Sequence, residues 1–300
     1  MPRTPLFGFA PGAEVARAHE VLDLAVRADR AGLDLFSLSD HPYHGARLDA
    51  YATLGVVLGA TTRITGLANV SNLPSRPAPL LARTLTSLSA LSGGRIVLGA
   101  GAGGFWDDIT RLGPPRLGPA AAVRAFEEAL TLVRALSGGG GPVTFEGEHH
   151  RVTDLEPADV PTPPIWTGSL GPKSLAVTGR LADGWIPGHA SDWLSDRFRE
   201  GRRLIDAAAL AAGRSPADVV TVHNLPGRIT ARPLDRVRDA TGRWTGGSVA
   251  QWTEELTGAV LEHGSAGFIH FNTDDTPLPV ALGRWAEEIA PAVREAVAEH

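Results

Sequence analysis

Ser39-Asp40-His41 puts a hydroxyl, a carboxylate and an imidazole on consecutive residues directly after a short apolar run, the composition of a proton-handling or metal-ligating site. Other apolar runs also end in polar residues: Asn69, Ser71 and Asn72 after one, His189 after another, then His223 with Asn224 and His270 with Asn272. Four histidines therefore collect at run ends. A metal site would use such imidazoles, but only Asp40 and His41 supply adjacent ligands and the first apolar run has no histidine or carboxylate, so no metal is expected. Two glycine-rich segments suit a flat, phosphorylated ligand. Gly99-Ala100-Gly101-Ala102-Gly103-Gly104 has little side-chain bulk, which lets a planar ring approach the backbone. Thr167-Gly168-Ser169-Leu170-Gly171-Pro172-Lys173-Ser174 opens a helix and offers free N–H groups, a hydroxyl and a cation where the helix dipole favours an anion. Lys173 is the only lysine in a chain that otherwise uses arginine.

These residues sit at the joints of a regular rhythm. Apolar runs at 6–10, 34–39, 64–70, 95–99, 164–167, 184–187, 219–223 and 267–271 read as strands. Between them, segments at 15–31, 51–61, 80–91, 121–136, 175–181, 194–212, 249–262 and 280–297 carry helical periodicity. Gly32, Gly93 and Gly213 suit helix C-terminal positions, and Ser248 can cap a helix start. Eight βα units predict one (β/α)8-barrel domain spanning 1–300, whose chemistry lies at the carboxyl ends of the strands. An open doubly wound sheet has the same rhythm, but it usually carries a phosphate loop after its first strand, where this chain reads Phe9-Ala10-Pro11-Gly12. The glycine run from Ser137 to Gly141, followed by 143–152, predicts a flexible loop and a small hairpin inserted before the fifth strand, with His149 and His150 on it as a solvated or edge-strand pair.

Composition narrows the partners. A formal net charge of −5 gives no electrostatic footprint for nucleic acid. The chain has 0 cysteines, which removes thiolate nucleophiles and Cys-ligated metals. No stretch approaches the ~20 apolar residues that span a bilayer, and the first residues lack a secretory apolar run, so a cytoplasmic protein acting on a small molecule is expected.

Several segments resemble one family, the luciferase-like flavin and deazaflavin oxidoreductases, from about Leu6 to Val297. Asp34-Leu35-Phe36-Ser37-Leu38-Ser39-Asp40-His41 resembles that family's second strand, and Gly94-Arg95-Ile96-Val97-Leu98-Gly99-Ala100-Gly101 its fourth. The most specific stretch runs from Pro163-Pro164-Ile165-Trp166 through Leu170-Gly171-Pro172-Lys173 to Gly179-Arg180-Leu181-Ala182-Asp183-Gly184-Trp185. Ala211-Ala212-Gly213-Arg214-Ser215-Pro216 and Ala286-Glu287-Glu288-Ile289-Ala290-Pro291 add to it.

The resemblance implies a ring-shaped cofactor in the barrel mouth, coenzyme F420 ahead of FMN, with its phosphate held by the loop after the fifth strand. It makes His41 and Asp40 the candidate catalytic residues. It also implies a non-proline cis peptide at Asn69-Val70 in a bulge backing the ring, and a homodimer. Asp40, Asn69, Val70, Ser71, Gly101, Gly103, Gly168, Ser169, Leu170, Gly171 and Lys173 become the candidate cofactor contacts. Sugar-phosphate dehydrogenases of the family carry a glutamate where Ala102 and Gly103 stand here, which speaks against that substrate. The expected chemistry is hydride transfer between F420 and a small organic substrate, with the proton handled by His41 and Asp40 orienting the imidazole or bonding the ring. Phe9, Trp106, His189, His223, Trp244 and His270 are the candidate substrate contacts on the rim. An FMN-dependent monooxygenase and a non-catalytic flavin-binding barrel stand as alternatives.

Overall fold

In the computed structural model, which describes residues 4–188 and 192–300, each of the eight expected apolar runs lies on a strand. The barrel strands are Leu6–Phe9, Leu35–Leu38, Thr65–Asn72, Ile96–Gly101, Ile165–Thr167, Gly184–Trp185, Val220–Thr230 and Gly267–Asn272. Consecutive strands pair in parallel, and the eighth returns to the first with Phe9 opposite His270, so the eight strands close into a ring. This closure is what separates a barrel from the open doubly wound sheet. Gly246–Ser248 pairs outside the ring with the far end of the long seventh strand. The expected hairpin is present as Val143–Glu146 against Arg151–Leu155.

Helices Ala18–Arg30, Ala50–Ala60, Ala78–Ser92, Pro119–Ala135, Pro172–Leu181, Asp196–Ala211 and Val249–Leu261 alternate with the strands. The last expected helix is divided into Leu278–Gly283, a π-helical turn Arg284–Ile289, and Ala290–Ala298. Pro291 has no N–H to donate one turn back, which accounts for the widened turn before it.

The buried apolar residues form two clusters. Leu35, Leu67, Val97, Trp166, Val222 and Ile269 fill the barrel interior. A larger cluster, with Phe7, Phe9, Leu54, Trp252 and Trp285 among its members, fills the layer between strands and helices. At the amino ends of the strands, Asp29 accepts hydrogen bonds from the backbone of Arg63 (2.8 Å) and Ile64 (2.7 Å), and Arg95 donates to the carbonyls of Leu58 (2.8 Å) and Ile64 (3.0 Å). These contacts fix the closed end of the barrel and leave the carboxyl ends to carry the site.

Candidate active site

Asp40 is buried at the end of the second strand, where an unpaired carboxylate would be costly. Its partners come from the next loop: Oδ2 accepts from the Asn72 backbone at 3.0 Å and from Arg76 Nε at 2.8 Å, while Oδ1 accepts from Arg76 Nη2 at 2.6 Å. Arg76 also reaches Asp49 at 2.7 Å, and Asp49 caps the helix Ala50–Ala60 through Ala52 N–H at 2.9 Å. Burial opposes the Arg76 charge, but its bonds to Asp40 and Asp49 prevail and hold its pKa above the ordinary value. The carboxylate therefore ties the second strand end to the third-strand loop. The expected role of Asp40 in orienting His41 falls to another residue.

That residue is Tyr43, whose hydroxyl lies 2.7 Å from His41 Nδ1. Burial is the main cause pushing the His41 pKa below its ordinary value, with Arg47 and His44 adding to it, so the imidazole is neutral at pH 7. Burial raises the Tyr43 hydroxyl, which stays protonated and able to donate. The bond is donated by the Tyr43 hydroxyl in one imidazole tautomer and by Nδ1–H in the other. Phe105 meets the His41 ring edge-on at 5.6 Å between centroids.

The third strand supplies the site's back wall. Its pairing with the fourth strand shifts register between Ala68 and Ser71, and the Asn69-Val70 peptide is cis, at the position the sequence points to. Asn69 Nδ2 donates to Asn224 Oδ1 at 2.8 Å, joining the third strand to the seventh. Ser71 is buried and its hydroxyl lies 2.6 Å from that of Tyr51, so its side chain is engaged with the helix layer and is not free for a cofactor. Val70 explains two glycines: a Cβ on Gly101 would lie 2.7 Å from Val70 Cγ2, and one on Gly168 would lie 3.1 Å from Cγ1. Gly103 has φ +92°, a conformation that favours glycine.

After the fifth strand, Gly168 to Gly171 lead into the helix Pro172–Leu181. Its N-cap, Gly171, gives no side-chain hydrogen bond, and Pro172 has no N–H, so the first-turn N–H groups of Lys173 and Ser174 are uncapped. Lys173 and Leu170 are exposed beside them. Ser169 is tied inward, its hydroxyl accepting from Thr178 at 2.9 Å and its carbonyl from Trp185 Nε1 at 2.9 Å. Uncapped N–H groups, a cation and glycine-cleared backbone fit a phosphorylated planar cofactor such as F420 or FMN.

Four expected rim residues are elsewhere. Phe9, His223, Trp244 and His270 are all buried in the layer between barrel and helices. His270 stacks on Trp285 at 4.9 Å, His223 meets Trp193 at 5.1 Å, and Trp244 packs on Trp252 at 4.9 Å. For the two histidines the cause is strand parity: Val222 and Ile269 belong to the barrel interior, so their neighbours His223 and His270 point outward. Trp106 does face a cavity near the mouth, and His189 lies outside the described residues. Tyr43, Arg76 and Phe105 are site residues that sequence reasoning missed. The one available signal was the closeness of Tyr43 to His41 in the chain. Among the described residues, no three His, Asp or Glu side chains are grouped to share a metal ion, and no helix is long and apolar enough to cross a membrane.

A family model described as luciferase-like monooxygenase matches residues 6–263. An F420-dependent glucose-6-phosphate dehydrogenase of Microbacterium testaceum (strain StLB037) is 30% identical over 225 residues, covering 72% of this chain and 66% of that protein. A phthiodiolone/phenolphthiodiolone dimycocerosates ketoreductase of Mycobacterium tuberculosis (strain ATCC 25618 / H37Rv) is 30% identical over 210 residues, covering 66% of this chain and 52% of its own length. The match thus spans just under two thirds of the first relative and about half of the second. Among solved structures, an F420-dependent secondary alcohol dehydrogenase superposes with a TM-score of 0.79 at 17% identity, over 97% of this chain and 99% of that one. A long-chain alkane monooxygenase superposes with a TM-score of 0.82 at 12% identity, over 98% and 92%.

Proposed function

The chain belongs to the luciferase-like monooxygenase family, and on that premise we propose that it is an oxidoreductase that holds coenzyme F420 in the barrel mouth and exchanges a hydride with a small organic substrate. The observation that carries this reading is His41, half-buried, neutral and hydrogen-bonded to Tyr43 at 2.7 Å, at a mouth whose fifth-strand loop offers an uncapped helix N-terminus. Bound F420 would supply obligate two-electron chemistry. The protein's own work is to hold the phosphate at Gly168 to Lys173, to back the ring with Asn69 and Val70, and to give or take the substrate proton at His41. A neutral imidazole suits the base role in alcohol oxidation, and its protonated form serves as the acid in carbonyl reduction. Relatives described as F420-dependent support the cofactor.

The test is to titrate the purified protein separately with F420 and with FMN, following tryptophan fluorescence. Selective micromolar or tighter binding of F420 is expected. Selective FMN binding, with substrate-dependent oxygen consumption, would transfer the assignment to a flavin monooxygenase, the activity for which the family model is named. Tight binding of either cofactor without any hydride exchange would leave a carrier.

A further inference from the structure

A cavity of about 450 Å3 opens beside the mouth, between the loop after the third strand, the loop after the fourth, the helix Pro119–Ala135 and the tip of the hairpin. That volume lies within the range of about 300–1,000 Å3 that small-molecule sites occupy. Its walls are mostly apolar, with Leu73, Pro74, Trp106, Leu112 and Phe126 among them. Arg76 connects it to the mouth, because the residue that bonds Asp40 beside His41 also lines the cavity.

The polar groups along its wall are few and specific. His149 and His150 are brought there by Glu128, whose carboxylate accepts the backbone N–H groups of Glu148, His149 and His150 at 2.8, 2.8 and 2.9 Å, clamping the hairpin tip onto the helix. His149 Nε2 and Ser75 Oγ are buried without a hydrogen-bond partner, although Glu148 Oε1 stands 3.4 Å from the former. Among the described residues, Arg76 is the one Lys or Arg in the lining, and Asp40 and Asp49 already hold its guanidinium. Such a cavity favours apolar surface and an uncharged hydrogen-bonding group, and its described lining offers no free cation to a phosphate.

We propose that this cavity seats the apolar body of the substrate, and that the substrate class is a hydrophobic ketone or the matching secondary alcohol, not a sugar phosphate. The carbonyl or carbinol end then lies toward His41, and the apolar part lies along Trp106, Leu112 and Phe126. The substrate class rests on the F420 oxidoreductase reading. The cavity as a binding site does not.

The two are separated by titrating the full-length protein with 2-undecanone and with glucose 6-phosphate, with and without F420, by tryptophan fluorescence and calorimetry. Ala125→Phe fills the cavity from the helix side, and Leu112→Asp puts a charge on its exposed edge. Saturable binding of 2-undecanone, weakened at least tenfold in both variants while F420 affinity stays within twofold, is the expected result. Ketone binding indifferent to both substitutions, or glucose 6-phosphate bound more tightly than the ketone, overturns the proposal. If the ketone binds with the expected sensitivity and F420 does not bind, the cavity stands as a site and the cofactor reading falls.

Discussion

A histidine that exchanges protons must be able to change charge within the working pH range, and the surroundings of His41 set where that happens. Burial is the larger cause of its lowered pKa, ahead of the repulsion from Arg47 and His44. Phe105 contributes to that burial while being largely exposed itself, so it can be cut back without opening the core. If His41 is the base in alcohol oxidation, kcat/KM rises with pH to a plateau, with its midpoint below the ordinary histidine value of 6.5. Phe105→Ala lets water reach the imidazole and moves that midpoint to higher pH; a profile that stays in place or moves downward would show that burial is not the cause. His41→Ala is expected to lower turnover by about 10²- to 10⁴-fold, the usual worth of a general acid or base, while the F420 dissociation constant changes less than about threefold. Equal loss of binding and turnover would give the residue a structural role. Asp40 and His41 were both legible in the sequence. What each bonds to was not, because Arg76 and Tyr43 are delivered by loop geometry that no local pattern encodes.

At the scale of strands, the third, fourth and fifth elements meet at one side chain. Val70 projects into space that exists only because Gly101 and Gly168 lack Cβ atoms. The glycine-rich look of the fourth-strand end thus has a packing cause of its own, independent of any ring in the mouth. Gly101→Ala should cost about 1–3 kcal/mol, the usual penalty for overpacking, measured by urea unfolding. Val70→Ala combined with it should restore part of the loss, since the two sites share one volume. Strictly additive destabilisation would mean that Gly101 is required for its backbone alone. The positions of the elements were legible because strand and helix periods differ, and the hairpin was announced by the glycine run before it. The parity of the strands was not: shifting the inward face by one residue exchanges Ile269 for His270 and Val222 for His223, and no residue in either run settles which pair faces in.

The same parity makes His270 part of barrel closure. It stands opposite Phe9 where the eighth strand meets the first, stacked on Trp285 at 4.9 Å, and Trp285 Nε1 donates to the Gly8 carbonyl at 2.9 Å, so the seam and the last helix are one packed unit. Burial dominates over a smaller opposing pull from the Leu225 backbone and lowers the His270 pKa from 6.5 to about 4. Between those two values the unfolded chain binds a proton that the folded barrel refuses, so stability rises with pH across the window and is lost as the solution is acidified through it. At 1.36 kcal/mol per pH unit, acidification from pH 7.5 to pH 5 should remove about 2 kcal/mol through this one group. Phe is close in shape and suits the aromatic surroundings, so His270→Phe should cost less than about 1.5 kcal/mol at pH 7.5 and should lack that acid-dependent component. Other titrating groups are common to both proteins and cancel in the difference. The variant should therefore gain on the wild type by about 2 kcal/mol between pH 7.5 and pH 5 in urea unfolding. A wild-type-minus-variant difference that is constant with pH would mean that His270 takes up its proton at the same pH in the folded seam as in the unfolded chain, so that burial does not set its titration.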